Sequence, residues 1–366
     1  MPLLKNKLEG IEYVIVGQGL AGSVMAMTLL QAGKKILVLN NENLPAASNV
    51  AAGLYNPVYG KELNLTWLAD ELFSYLHEFY SSVKKTIENE CGRQLNFLHH
   101  DGIFRSFINL KQQNKFLSEA DYFEKSGFVD SETDFERFKD LIVSDLDGFL
   151  VQKSGWLDTK LFTKIVRQYL ILKKAYFLEK VNQELLETLL EENTIKKVIF
   201  CEGFHGRENR LFNWLPWNPA KGEILTIKIT TEKSWGSEVV NAGIFIVPLG
   251  QNLYRVGATY AWHEFSSEPT EKAKTDLISK LTKLLKVPFE VVNQEAGVRP
   301  ATKLRRPFVG LHPAYPKIAI FNGLGSKGVS LAPYFAKQLF DFFENNQEIH
   351  PEANIQQFYP LYFGSN

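Results

Sequence analysis

The residues best placed to do chemistry come early: Gly17-Gln18-Gly19-Leu20-Ala21-Gly22, directly after the β-prone run Tyr13-Val14-Ile15-Val16. Glycines at this spacing, between a strand and a helix, suit a dinucleotide. Gly17 permits a tight turn, Gly19 lets the backbone approach a pyrophosphate, and Gly22 lets helix and strand pack closely. The phosphates then lie at the helix N-terminus, where Leu20 and Ala21 begin the helix and free N–H groups favour negative charge. The competing reading is a purely structural glycine turn. The second strand, Ile36 to Leu39, should end on an acid that binds ribose hydroxyls. It ends Asn40-Asn41-Glu42. Asn40 stands in the acid's place, with an amide able to bond a hydroxyl, and Glu42 comes two residues late. No arginine lies nearby to hold a 2′-phosphate, so NADP is not favoured.

The elements around this fingerprint read as strand, glycine loop, helix, strand. Ala21, Val24, Met25, Thr28 and Leu29 give the helix one apolar face, and Gly33 ends it. A βαβ start implies a parallel sheet. Helices are expected from Trp67 to about Glu90, from Lys111 to Lys125, and through Leu161 to Tyr169 after the capping pair Asp158 and Thr159. Lys197 to Cys201 reads as a buried strand that Gly203 ends. Then the pattern turns to strands in series: Ile224 to Ile229, Gly243 to Val247 and Tyr254 to Thr259. A helix from Thr270 to Leu285 and a strand from Phe289 to Gln294 follow. Ile318 to Phe321 is a strand, Gly323 to Gly328 a glycine loop, and Pro333 to Phe343 a helix with proline in its first turn. The fold class is α/β (α+β overall). Residues 1–56, 145–222 and 297–366 are expected to form a Rossmann-like nucleotide domain. Residues 57–144 and 223–296 are expected to form a substrate domain with an antiparallel sheet.

Composition limits the function. The chain has 366 residues, enough for two lobes, and 41 basic side chains balance 41 acidic ones. That neutrality gives no long-range pull on nucleic acid. Two cysteines, Cys91 and Cys201, do not make a disulfide framework, and the histidines show no metal spacing. The N-terminal stretch with Lys5 and Lys7 lacks the apolar run of a leader, and no stretch is long enough to span a bilayer. The expectation is a cytoplasmic protein.

Beyond the fingerprint, four further segments occur in order. They are Ser48-Asn49-Val50-Ala51-Ala52-Gly53-Leu54-Tyr55-Asn56-Pro57, Gly257-Ala258-Thr259, Gly297-Val298-Arg299-Pro300-Ala301-Thr302 followed by Arg306-Pro307-Phe308-Val309-Gly310, and Gly323-Leu324-Gly325-Ser326-Lys327-Gly328-Val329-Ser330-Leu331-Ala332-Pro333. Together the set resembles the D-amino-acid oxidase and glycine oxidase superfamily of FAD enzymes, from about Tyr13 to Phe343.

The resemblance implies FAD as cofactor, held by the fingerprint, Asn40, Asn41, Ala51 to Leu54, Gly203, and the last loop (Gly323, Gly325, Ser326, Lys327, Gly328, Val329). It implies that the last loop and its helix approach the flavin's pyrimidine end, where N–H groups and the Lys327 ammonium would stabilise developing negative charge. A solvated lysine in an ordinary turn is the alternative. It also implies that Arg299 binds a substrate carboxylate through its planar fork. Where glycine oxidase has a tyrosine, this chain has Phe245, and Tyr260 is the candidate to supply a hydroxyl instead. Where glycine oxidase has a second arginine, this chain has Ser326, so simple glycine or sarcosine is not the expected substrate.

The reaction expected on this resemblance is oxidation of an amine or amino-acid C–N bond by hydride transfer to flavin N5, giving an imine that hydrolyses. Two other readings remain. Gly323 to Gly328 is similar to the FAD domain of the bifunctional enzyme that modifies wobble uridine in tRNA, with Lys303, Arg305 and Arg306 as its basic patch. If these three do not line a path to the flavin cleft, that reading falls. A flavin-binding protein without turnover is the other.

Overall fold

Tyr13–Val16 carries no charged residue, and a strand of this kind must be covered on both faces. In the computed structural model, which describes residues 7–130, 136–143, 146–231 and 236–364, all four of its residues are buried. Lys5 lies outside the described residues. The strand sits inside a sheet whose order is Tyr176–Leu178, Ile36–Asn40, Tyr13–Val16, Lys197–Phe200, Ile318–Asn322, Phe308–Leu311. The first five are parallel and the last is antiparallel. The chain leaves Tyr13–Val16 on one side for Ile36–Asn40, and the other side is taken by Lys197–Phe200. The order therefore reverses at the carboxyl end of Tyr13–Val16, where open α/β sheets place their ligands.

A second, larger sheet has the order Phe289–Arg299, Ala220–Ile229, Leu253–Gly257, Phe245–Gly250, Val239–Asn241, Ile103–Ser106, Gly148–Val151, Val129–Asp130. Its pairs are antiparallel except Val239–Asn241 with Ile103–Ser106. Glu271–Leu284, capped by the Thr270 hydroxyl, covers one face with Leu277 and Leu281. The two sheets are the expected architecture, and several expected details change.

Gly148–Val151 pairs with Ile103–Ser106, so the boundary expected at 145 does not hold at that strand. Helix Ala69–Cys91, expected with the substrate lobe, buries Leu72, Phe73, Leu76, Tyr80, Val83 and Ile87 in the core of the nucleotide lobe. Its apolar stripe needs a matching surface, and the helices Leu20–Gln31 and Gly328–Asn345 supply one. The single helix expected from 111 to 125 is two, Leu110–Ser118 and Ala120–Lys125, divided at Glu119, where ψ is 17° and the helical path is lost. The hairpin after Gly250 turns on Gln251 and Asn252, both at positive φ, as a tight two-residue turn demands.

The last helix corrects the sequence reading most usefully. It starts at Gly328, not near Pro333, and Pro333 is interior. Proline there has no N–H for the carbonyl of Val329, one turn back. The buried Tyr80 hydroxyl donates to that carbonyl at 3.1 Å. The helix can therefore begin early enough to point its N-terminus at the crevice. Tyr80→Phe leaves the carbonyl unpaired and is expected to lower stability by about 1–2 kcal/mol. A lower urea midpoint with an unchanged slope would show it; an unchanged midpoint would mean that water replaces the hydroxyl.

Candidate active site and cofactor cleft

At the carboxyl ends of Tyr13–Val16, Ile36–Asn40, Lys197–Phe200 and Ile318–Asn322 the structure opens a cavity of about 620 Å³. It continues beneath the larger sheet to Arg299. Gly17, Gly19, Leu20, Ala21, Asn40, Asn41, Ala51, Ala52, Gly53, Leu54, Gly203, Gly325, Ser326, Gly328, Val329, Tyr260 and Arg299 all line it. Gly22, Gly323 and Lys327 do not.

The first glycine loop is shaped by close approach. Gly17 has φ 96°, and a Cβ on it would meet the Cys201 carbonyl oxygen at 2.6 Å. A Cβ on Gly22 would lie 1.9 Å from the Gly17 carbonyl oxygen, so Gly22 acts behind the wall, in packing. At Gly19 a Cβ would meet the Ser48 hydroxyl alone, at 3.4 Å, so the backbone is open to the cavity there. Helix Leu20–Gln31 has no side-chain cap and no acid in its first turn. Its N–H groups are left to an anion from outside, which fits the pyrophosphate of a dinucleotide. Helix Gly328–Asn345 likewise starts without a side-chain cap.

Asn40 has a tertiary role that the sequence does not reveal. Its Oδ1 accepts from the Gln18 N–H at 2.9 Å, and its Nδ2 donates to the Tyr176 hydroxyl at 3.1 Å. Tyr176 donates to Glu42 at 3.0 Å, and Glu42 is paired with Arg167 at 2.7 Å. An arginine is thus near this end after all, delivered by helix Thr159–Leu172, but Glu42 engages it. The loop after the second strand is clamped from both lobes. Thr159 Oγ1 donates to the Ser48 carbonyl at 2.6 Å, and Arg255 Nη1 to the Ala51 carbonyl at 3.1 Å.

Arg299, at the end of strand Phe289–Arg299, reaches into the other end of the cavity. Its nitrogens donate to the carbonyls of Lys221 at 3.3 Å and Thr259 at 3.4 Å. The Tyr260 ring lies against the guanidinium, 4.1 Å from its carbon. No carboxylate of the described residues pairs with it, and burial pushes its pKa down from the ordinary value. Gly222 makes the seat: a Cβ there would fall 2.0 Å from Arg299 Nη2. Phe245 also lines the cavity and offers no hydrogen bond.

Lys327, expected at the flavin, does not line the cavity. Its ammonium lies over the Tyr59 ring, 3.7 Å from the centroid. Burial first, then Arg306 and Arg305, pulls its pKa down to about 8. Below that value both folded and unfolded chains carry the proton, and the cost of burying the charge is fully present. Between about 8 and the ordinary 10.5 the unfolded chain holds more protons, so stability rises with pH. Lys327→Met is therefore expected to stabilise the protein by roughly 1 kcal/mol at neutral pH and by nothing measurable at about pH 10.5. Denaturant titrations of both proteins at the two pH values check it; an equal difference at both would refute the charge argument.

Several lining residues have no sequence motif. Glu179 to Val181 follow the edge strand Tyr176–Leu178, which pairs beside Asn40. Glu202 lines the cavity beside Gly17, accepts from Asn209 Nδ2 at 2.7 Å, and has its carboxyl pKa raised by burial. Only the glycine at Gly203 hinted at this turn. Lys303 and Arg305 are exposed, Arg306 is held by Glu352 and stacked on Trp67, and none of the three lines the cavity. Cys201 is a buried thiol and Cys91 is half-buried; neither forms a disulfide. Among the described residues no group of histidine, cysteine, aspartate or glutamate could hold a metal, and no helix is long and apolar enough to cross a membrane.

Comparison with known proteins agrees with this geometry. A family profile described as FAD dependent oxidoreductase matches residues 12–342. Glycine oxidase from Bacillus cereus superposes with a TM-score of 0.72 at 20% identity, over 92% of this chain and 96% of that one. Iminodiacetate oxidase from Chelativorans sp. BNC1 does so with a TM-score of 0.73 at 16% identity, over 95% and 98%. A curated relative, the tRNA 5-methylaminomethyl-2-thiouridine biosynthesis bifunctional protein MnmC of Idiomarina loihiensis, is 22% identical over 340 residues, 89% of this chain and 54% of that protein. The chain thus spans about half the length of the curated relatives it matches.

Proposed function

Because the chain belongs to the family of FAD dependent oxidoreductases and its cofactor is FAD, we propose that it oxidises a C–N bond of an amine or amino acid that bears a carboxylate. The observation that carries this reading is Arg299: a half-buried guanidinium facing the cavity, resting on backbone carbonyls, with no acidic partner among the described residues. Such a group is a ready site for an external carboxylate.

When bound, FAD supplies the two-electron acceptor. The chain's own residues do the rest. The glycine turn at 17–22 and the uncapped helix behind it take the pyrophosphate; Asn40, fixed by Gln18 and Tyr176, stands at the ribose end. Arg299 fixes the substrate's carboxylate, and Tyr260 holds the guanidinium flat. Phe245, Ile244 and Gly257 line the same end with apolar surface, which keeps water from the carbon to be oxidised. Ser326, Gly328 and Val329 bring backbone N–H groups and a helix N-terminus to the cavity wall, suited to negative charge that develops there. No protein base is required, since positioning and charge stabilisation carry the catalysis.

The test is an anaerobic absorbance scan of the yellow protein against amines, amino acids and their N-substituted forms. Bleaching by a carboxylate-bearing amine is the expected result. Flavin that no amine reduces would refute the proposal and leave a flavin-binding protein without turnover.

The curated relatives favour a second reading, oxidation of a tRNA wobble-uridine side chain. That Lys303, Arg305 and Arg306 do not line the cavity counts against it. Bleaching by carboxymethylamino-modified tRNA, and not by small amines, would establish it in place of the first.

A further inference from the structure

Lys221 is a lysine with a side chain only 1% exposed, and the reaction does not use it. Stripping water from an ammonium is costly, so its partners should reveal what holds it there. The ammonium pairs with Glu264 and donates to Ser266 Oγ at 3.1 Å and to the Glu268 carbonyl at 2.6 Å. These three belong to one segment, the loop between strand Leu253–Gly257 and helix Glu271–Leu284; a fourth partner, the buried Glu223 carboxylate 3.7 Å away, stands on the same strand as Lys221. That loop carries Tyr260 at its start.

The strand Ala220–Ile229 divides its work by face. Successive side chains point to opposite sides. Gly222 faces the cavity and seats the Arg299 guanidinium. Lys221 and Glu223 face the loop. Glu223 accepts from the Thr270 N–H and hydroxyl, each at 2.8 Å, and from Gln294 Nε2 at 2.9 Å, which fixes the loop's far end. Its near end is fixed by the Lys221 and Ala261 backbones, which exchange bonds of 2.8 and 3.0 Å, and by the Thr259 hydroxyl, which accepts from the Glu223 N–H at 3.0 Å. Between these ties Tyr260, 53% exposed, is pressed on Arg299. Lys221 also supports Arg299 through its own carbonyl.

We propose that Lys221 is a positioning residue for substrate recognition: its buried ammonium gathers the 264–268 segment and so holds Tyr260 against Arg299, keeping the guanidinium presented to a carboxylate. This rests on the reading of Arg299 as the carboxylate anchor. Without the ammonium the loop keeps its backbone ties at 259–261, which hold the Tyr260 backbone, and loses those at 264–268; Trp262, whose ring packs on Tyr260 at 5.6 Å, loses its support from that segment, and the half-exposed Tyr260 ring is freed to turn off the guanidinium.

The test uses the FAD-loaded full chain and its Lys221→Met, Lys221→Arg and Glu264→Gln variants. Two properties are read: hydrogen exchange of the 258–270 amides, and the half-saturation of benzoate, a plain carboxylate, followed by the flavin spectrum. Lys221→Met should speed exchange in 258–270 roughly tenfold or more while 17–22 stays unchanged. It should also raise the benzoate half-saturation about tenfold. With an amine that bleaches the flavin, half-saturation should move more than the limiting rate. Lys221→Arg should restore most of both, and Glu264→Gln, at a half-exposed position, should give a smaller effect in the same direction. Glu264→Gln carries the test if Lys221→Met does not fold. Exchange and benzoate binding within about twofold of the parent, in whichever of these variants folds, would overturn the proposal. If the parent holds FAD yet neither benzoate nor any amine alters its spectrum, the reading of Arg299 fails instead; the exchange comparison still judges the hold of Lys221 on the loop, since it needs no ligand.

Discussion

Arg299→Met is expected to lower kcat/KM for carboxylate-bearing amines by roughly 10²–10³-fold, with FAD retained. The guanidinium offers a planar fork to a carboxylate from a half-buried position in the cavity wall, where a charge-assisted pair is worth more than in bulk water. Methionine keeps the stem's bulk over Gly222 and removes every donor. FAD should stay bound because the glycine turn lies at the other end of the cavity. Arg299→Lys should recover little: an ammonium cannot bond both a carboxylate edge-on and the carbonyls of Lys221 and Thr259, which now hold the fork. Anaerobic bleaching rates with a carboxylated amine and with the same amine lacking the carboxylate separate the causes. The first should collapse and the second should change little. Equal loss for both would mean that Arg299 supports the cavity wall and does not bind the substrate.

Gly22→Ala is expected to yield protein that no longer retains FAD. The added methyl would lie 1.9 Å from the Gly17 carbonyl oxygen, and backbone, not a flexible side chain, must give way. Helix Leu20–Gln31 would have to move off the turn, taking its free N–H groups out of register with the phosphates. A displacement of this kind should weaken FAD by roughly two orders of magnitude or more. Flavin absorbance after gel filtration measures it, with circular dichroism to confirm folding. A yellow, folded Gly22→Ala protein would mean that the turn adapts and the close packing is dispensable. Gly19→Ala is the informative partner. Its methyl meets the Ser48 hydroxyl alone, at 3.4 Å, so it should leave the fold intact and act only by intruding on the space left for the ligand.

The local chemistry of the chain was enough to write the first crossover. Gly17, Gly19 and Gly22 at that spacing pointed to one turn between a strand and a helix, and the β-prone, uncharged Tyr13–Val16 to a strand of a parallel sheet, which the structure places inside. The strand-rich third of the chain and the helix from about Thr270 were legible for the same reason: period is a property of neighbouring residues. So were Arg299 and Tyr260 as candidates, since ordered motifs travel with the chain, and both reach the cavity.

What the sequence left open depended on contacts between distant residues. Proline marks a helix's first turn only when nothing else can satisfy the carbonyl one turn back; Tyr80, distant in sequence, does so and moves the helix start to Gly328. Lys327 read as a flavin cation because its loop resembles the family's last glycine loop, but its ammonium lies over the Tyr59 ring and does not line the cavity. Asn40 looked like a weakened acid until Gln18 and Tyr176 took both ends of its amide. Gly222 and Lys221 carried no motif at all. Their neighbours in space, Arg299 and the 264–268 segment, are dozens of residues away: the pairing of Ala220–Ile229 with Phe289–Arg299 brings Gly222 to Arg299, and its pairing with Leu253–Gly257 and Ala261 brings Lys221 to the segment. Periodicity and glycine spacing act over a few residues and can be read in order; the filling of a cavity wall and the pairing of a buried charge are decided by whichever distant segment the fold presses against them.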